Sequence, residues 1–468
     1  MGEVSLHVST KYERIPFGKE MLKHFLFDPE FKNLNHGSFG TFPRVIKEKQ
    51  REIQDHTEHA PDQFIRYEYP ELLDKSRAAA AKLLNVPTET VVFVANATSG
   101  VNTILRNLAW HEDGKDEIIF FSTIYGACGK TIDYVCEANR DLVQAREIKL
   151  EYPISDADLV SSFKEAIKAS RAARKFPRVA IFDTISSLPG VRMPFEELTR
   201  ICKEHDILSL IDGAHGIGHI SLDLSALKPD FFTSNAHKWL FVPRGCAVLY
   251  VPIENQHLIR STLPTSHGFI PKALASGLPN PLPPSSKNAF VTQFEFVGTI
   301  DNSNYLVVGE AIKWRKEACG GEEAITNYTH NLVFEGGKHI ANVLGTKLLD
   351  NDEQTLTKCN LVNVLLPLSS SSASIPGFHA VKAGFETTIV HWLQQTLIND
   401  YKTFIAIYEF QGNWYARLSG QVYLDMEDFE WAGQKLKEIC ERIGKGEYLG
   451  KAQEMDVKEM VVGGDLAK

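Results

Sequence analysis

Three short stretches place chemically capable side chains directly after apolar runs. In "TVVFVANATSGVN" the hydroxyls of Thr98 and Ser99, with Gly100, follow a β-branched run. The run "ILSLI" ends on Asp212 of "DGAHGIGH", and "DFFTSNAH" leads into Lys238 of "SNAHKWLFVPRG". Taken singly, Thr98 and Ser99 fit an ordinary helix cap, and a lysine usually snorkels to the surface. Together they mean more. Hydroxyls and free N–H groups at a helix N-terminus suit a phosphate, and a carboxylate among apolar flanks needs a positive or hydrogen-bonding partner. A lysine drawn out of water has a lowered pKa and becomes an amine nucleophile toward an aldehyde. Pyridoxal 5'-phosphate requires these three groups: donors for its phosphate, a carboxylate that keeps its ring nitrogen protonated, and an amine for its aldehyde.

The elements that must position them alternate along the chain. "DKSRAAAAKLLN" is expected to be a helix with an Asp cap, followed by strand "TVVFVAN", helix "SGVNTILRNLAW", strand "DEIIFF" and helices "CGKTIDYVCEAN" and "DLVSSFKEAIKASRAAR". Strand "RVAIFDTI", helix "PFEELTRICKEH" and strands "ILSLID", "DFFTSNAH" and "GCAVLYV" complete the pattern. Short apolar runs divided by helices predict an α/β fold, a mostly parallel sheet covered on both faces. Ligands gather at the carboxyl ends of such strands, where all three stretches lie. Residues 271–288 are rich in Pro, Ser and Gly and suggest a surface excursion or lid. The later helical periodicity, with strands "LVNVLLPL" and "TFIAIYEFQGNWYARLS", predicts a smaller α+β lobe. The expected division is a cleft-lining segment 1–50, a large domain 51–303, a small domain 304–448 and a frayed tail 449–468.

At 468 residues the chain is long enough for two core-bearing lobes. Its net charge of −9 argues against a nucleic-acid partner. Seven scattered cysteines without a C-x-x-C pair fit a reducing compartment, and with no long apolar stretch the chain is expected to be cytoplasmic and not membrane-bound. "ACGKT" lacks the glycine that a phosphate-binding P-loop needs five positions earlier, where Ile124 stands. His215, His219 and His237 lack nearby acidic or thiolate ligands, so no metal is expected. Cys359 opens an apolar strand and reads as a structural thiol rather than a sulfur acceptor.

"NATSGVN", "DGAHGIGH" and "SNAHKWLFVPRG" resemble the fold-type I pyridoxal phosphate enzymes of the class V aminotransferase family, over roughly Leu34 to Tyr423. "LNHGSFGTFP" is similar to the isopenicillin N epimerase-like branch, and "YGACGKTIDY", "STLPTSHGF" and "FEFVGTIDN" resemble its fungal members. These include cysteine-sulfoxide lyases of ergothioneine synthesis and a loline-pathway cyclase. The resemblance implies that Lys238 carries the cofactor and shuttles the substrate's Cα proton, while Asp212 pairs with the ring nitrogen. It places His215 beside the phenolic oxygen or phosphate, Thr98 and Ser99 at the phosphate with help from Ser234 or His237, and Tyr125 stacked on the ring. Ser187 becomes a small polar contact. Thr299 would reach the phosphate of a neighbouring subunit, implying a homodimer with the site at its interface. Arg417 would clamp the substrate carboxylate, and Asn35 and His36 would line the substrate end. A C–S lyase acting on a cysteine-derived amino acid is the first expectation, a cyclase or γ-substituting enzyme the second, and an epimerase the third.

Overall fold

Strands buried on both faces have no need of polar alternation, and this is why the apolar runs of the sequence become the centre of a seven-stranded sheet. The computed structural model describes residues 11–272, 282–369 and 375–450. In chain order the strands are β1 (Val91–Val94), β2 (Asp116–Phe121), β3 (Val143–Ile148), β4 (Phe176–Asp183), β5 (Leu208–Asp212), β6 (Phe231–Ser234) and β7 (Ala247–Tyr250). They lie in the order β1-β7-β6-β5-β4-β2-β3. Only β7 is antiparallel to its neighbours β1 and β6. Strand β3 had no expectation attached to it. In "VQAREI" only Val143 and Ile148 are buried, so this edge strand lacks an apolar run.

Two expectations about local structure need correction. Asp74 caps no helix: it lies inside Tyr69–Leu83, ion-paired with Arg77 at 2.8 Å and Lys287 at 2.7 Å. The helical path starts upstream, through a π-helical turn at Phe64–Glu68. Lys238 does not end a strand either. Strand β6 stops at Ser234, and Lys238 occupies a single helical turn, Ala236–Trp239. Much of the 271–288 excursion and nearly all of the 449–468 tail lie outside the described residues.

The second lobe is a four-stranded sheet of β8 (Leu361–Ser369), β9 (His379–Ala380), β10 (Ala406–Phe410) and β11 (Asn413–Ser419), in the order β9-β8-β11-β10. Helices Glu322–Leu344 and Met426–Gly444 pack closely together beside it, and a Cβ at Gly336 would overlap the Phe429 ring. The N-terminal segment belongs with this lobe by its hydrogen bonds. Ile15 N–H donates to Ala318 O at 2.9 Å and Gly18 N–H to Val422 O at 2.8 Å, and Lys32–Asn33 pairs with Thr403–Phe404. Among the described residues, no helix is long and apolar enough to cross a membrane.

The helix Ala97–Asn107 is seated on the sheet through Gly100, where a Cβ would overlap Thr233 Oγ1 on β6. Gly100→Ala is therefore expected to lower stability by about 2 kcal/mol through overpacking. The denaturant midpoint measures this, and an unchanged midpoint would show that the helix can withdraw freely.

Candidate active site

Adjacent parallel strands bring two acids side by side. Asp183 ends β4 and Asp212 ends β5, and the two are register partners, so their side chains leave the same face. Both are buried, and burial raises both carboxyl pKa values, with Asp212 adding to the rise at Asp183. Among the described residues Asp212 has modest support: the Ala214 N–H at 2.9 Å and the Cys128 thiol at 3.3 Å. Lys238 approaches from the turn after β6. Its Nζ lies 3.0 Å from His215 Nε2, three residues beyond Asp212. Burial and the Arg417 guanidinium push the Lys238 amine down to about 8, against the opposing pull of Asp212 and Asp183. The two groups required at one ring, an amine and an acid, thus share one enclosure.

The start of helix Ala97–Asn107 meets the same turn. Asn235 Oδ1 accepts from Ala97 N–H at 2.8 Å, and this places Thr98 and Ser99 close to the Lys238 turn. The cap itself is Asn96, not Thr98 or Ser99: Asn96 Oδ1 accepts from Ser99 N–H at 2.8 Å and from the Ser99 hydroxyl at 3.1 Å. Tyr125 precedes helix Gly126–Ala138, the helix that carries Cys128 to Asp212, and is 47% exposed. Ser234 is not available to a phosphate, because its hydroxyl is buried between Gly213 O and Ile217 N–H. His237 is half-buried with Nδ1 at 3.0 Å from Cys246 O, and burial holds its ring down at about 4.

Arg417 rises from β11 into the opposite wall. Its Nη1 donates to Ser187 O at 2.6 Å and its Nη2 to Asn35 Oδ1 at 3.1 Å and Ser38 Oγ at 2.8 Å. Ser187 therefore contributes its carbonyl here. Among the described residues the Nε of Arg417 is buried without a hydrogen-bond partner. Burial lowers this guanidinium only to about 10, so it stays charged at neutral pH. His36 is corrected: it does not face a substrate. It is fully buried, with Nδ1 at 3.0 Å from the Tyr423 hydroxyl and Nε2 at 2.6 Å from the carbonyl of Lys238. Thr299 is exposed, beside Asp301 and helix Arg44–His59. Asp183, Cys128, Asn235 and Trp239 escaped the sequence reading. Asp183 could have been found, since "RVAIFD" ends an apolar strand on a carboxylate just as "ILSLID" does.

Residues 33–366 match the family model described as aminotransferase class-V. The chain belongs to this family. It is 40% identical over 447 residues to the L-cysteine desulfhydrase-like protein lolT1 of Epichloe uncinata, covering 92% of this chain and 97% of the relative. It is 34% identical to the hercynylcysteine sulfoxide lyase of Schizosaccharomyces pombe, covering 91% and 98%. Among solved structures, the cystine C-S lyase C-DES superposes with a TM-score of 0.66 at 19% identity, covering 87% of this chain and 97% of that one.

Class V aminotransferases use pyridoxal 5'-phosphate, and this member is an enzyme dependent on it. The residues present fit the group. A buried acid supported by one N–H and one thiol leaves room for a protonated ring nitrogen, and a buried amine stands next to it. The helix beginning at Ala97 turns its N-terminus to the same turn. Condensation with an aldehyde needs the neutral amine. Cofactor uptake by the stripped chain is thus expected to accelerate with rising pH and level off near pH 8 rather than near the ordinary lysine value of 10.5. Visible absorbance after mixing follows it, and Lys238→Ala should show no covalent uptake at any pH. Uptake that climbs on to pH 10 would contradict the assigned lysine environment.

Proposed function

We propose that the enzyme is a lyase that cleaves the carbon–sulfur bond of a cysteine-derived amino acid, with a cysteine sulfoxide conjugate as its preferred substrate. One observation carries the reading: the chain is similar over more than nine-tenths of its length, 92% and 91%, to relatives named as an L-cysteine desulfhydrase-like protein and a hercynylcysteine sulfoxide lyase. The thiols argue in the same direction. Sulfur transfer to the protein would need an accessible thiolate, whereas Cys359 is 2% exposed with its Sγ 3.5 Å from Leu361 O, and burial pushes its pKa up to about 12. Sulfur then leaves with the substrate fragment.

When bound, the cofactor supplies an electrophilic aldehyde and a ring that takes up the electron pair left at the substrate's Cα. The chain does the rest. Arg417 holds the substrate carboxylate, with its Nε free for it and its fork oriented by Asn35, Ser38 and the Ser187 carbonyl. Asp212 holds a proton on the ring nitrogen by opposite charge. Lys238 Nζ receives the Cα proton, and Tyr125 covers the ring. Thr98 and Ser99 take the phosphate, with His215 at the phenolic oxygen and Thr299 reaching across from a second subunit of a homodimer. Loss of the Cα proton and departure of sulfur with the Cβ–S bonding pair leave a three-carbon unit, which water converts to pyruvate and ammonia.

A cyclase or γ-substituting enzyme is the second reading, and an epimerase is the third. Product analysis separates them. Pyruvate and ammonia released in equal amounts from cysteine conjugates support the lyase. No pyruvate, with solvent deuterium entering Cα of an O-acetylhomoserine-type substrate, replaces it with the cyclase. Arg417→Ala is expected to raise KM for the amino acid by about 10–100-fold, the worth of a charge-assisted hydrogen bond. Steady-state kinetics tests this, and an unchanged KM removes Arg417 from the carboxylate.

A further inference from the structure

Trp239 directly follows Lys238, and its indole N–H can only donate. It donates to His215 Nδ1 at 3.1 Å. A ring nitrogen that accepts a hydrogen bond carries no proton, so neutral His215 keeps its proton on Nε2. That nitrogen lies 3.0 Å from Lys238 Nζ. With the proton on the imidazole side, Nζ must receive it with a lone pair, which an ammonium lacks. We infer that Trp239 is a positioning residue that locks His215 in its Nε2–H tautomer and thereby holds Lys238 as a free amine.

The surroundings keep this polarity from reversing. Protonation of His215 on Nδ1 would set one N–H against another at Trp239, and burial together with Lys238, Arg417, His219 and His36 also opposes a charge on the ring. Trp239 is itself fixed in place. Its ring stacks on His219 with centroids 3.8 Å apart, and its carbonyl accepts from Arg315 Nη1 at 2.7 Å. The two neighbouring histidines have assigned polarity by the same logic. His219 Nε2 accepts from Asn360 N–H at 2.6 Å, so its Nδ1–H donates to the His215 carbonyl at 2.8 Å. The Tyr423 hydroxyl accepts from Asn33 at 2.8 Å and donates to His36 Nδ1, which leaves the His36 Nε2–H for the Lys238 carbonyl. The groups facing the amine are Asp212, Asp183, Cys128 and Arg417. The acids favour an ammonium there; the Trp239–His215 pair opposes them and acts in addition to burial.

The inference deepens the assignment of Lys238 as the reactive amine and rests on that assignment only for its purpose. The test is reductive methylation of the full-length chain, freed of cofactor, with formaldehyde and cyanoborohydride across a pH series. Peptide mass spectrometry reads the extent of modification at Lys238. In the unaltered chain the midpoint is expected at or below pH 8. Trp239→Phe keeps an aromatic ring over His219 but has no N–H to give. The freed imidazole can then turn a lone pair toward an ammonium, and the midpoint should rise by about one pH unit, the net worth of one hydrogen bond. His215→Gln should keep the low midpoint, because its carbonyl can accept from Trp239 while its amide N–H faces Nζ. An unchanged midpoint in Trp239→Phe overturns the inference. So does a comparable rise in His215→Gln, which decides the matter by itself if the tryptophan variant fails to fold. Neither cofactor nor substrate is present, so this failure is separate from failure of the lyase reading.

Discussion

An amine enclosed between two acids is the constraint around which this molecule is arranged. Removing a charge from water is costly unless partners share the enclosure. Here the partners are fixed by sheet geometry rather than by flexible side chains: Asp183 and Asp212 are register neighbours on two parallel strands, and Lys238 stands on the first turn after a third. Strand pairing therefore sets the spacing of the charges. The apolar runs that build the sheet also create the dry surroundings that lower the amine's pKa.

The large sheet supplies only half the enclosure. The other wall comes from β11 and from the segment just after Lys32–Asn33. Arg417 and Asn35 are tied to each other, and His36 holds the Lys238 carbonyl from behind. Tyr423 accepts from Asn33 and contacts His36, so one phenol joins both ends of the chain to the back of the lysine turn. His36 is better understood as a strut than as a substrate contact. Its two nitrogens are both engaged, and burial lowers its ring pKa to about 3, so it stays neutral throughout the physiological range.

Much of this was legible because the chemistry-bearing side chains follow apolar runs. Asp212 could be found from its strand end, Lys238 and the Thr98–Ser99 turn from the apolar runs that precede them, and the α/β class followed from the alternation. The parts that were not legible depend on contacts between distant positions. Nothing local marks Asn235 as the acceptor for Ala97 N–H, Cys128 as the thiol on Asp212, or Asn96 rather than its neighbours as the cap. "VQAREI" hides a strand because an edge position tolerates polar residues. Trp239 is a core residue, and only the placement of His215 makes its N–H consequential.

The fastening of residues 32–36 to residues 403–423 has a consequence for biogenesis. On the ribosome the seven-strand sheet can assemble once its last strand has emerged, well before the residues that close the site exist. Domains fold as units during synthesis. Until Tyr423 leaves the exit tunnel, the leading segment lacks its pairing with residues 403–404, and His36 behind the lysine turn lacks the phenol that orients it. A nascent chain would thus carry a finished scaffold around an open cavity, and competence to retain the vitamin-derived cofactor would arrive only in the closing stage of translation.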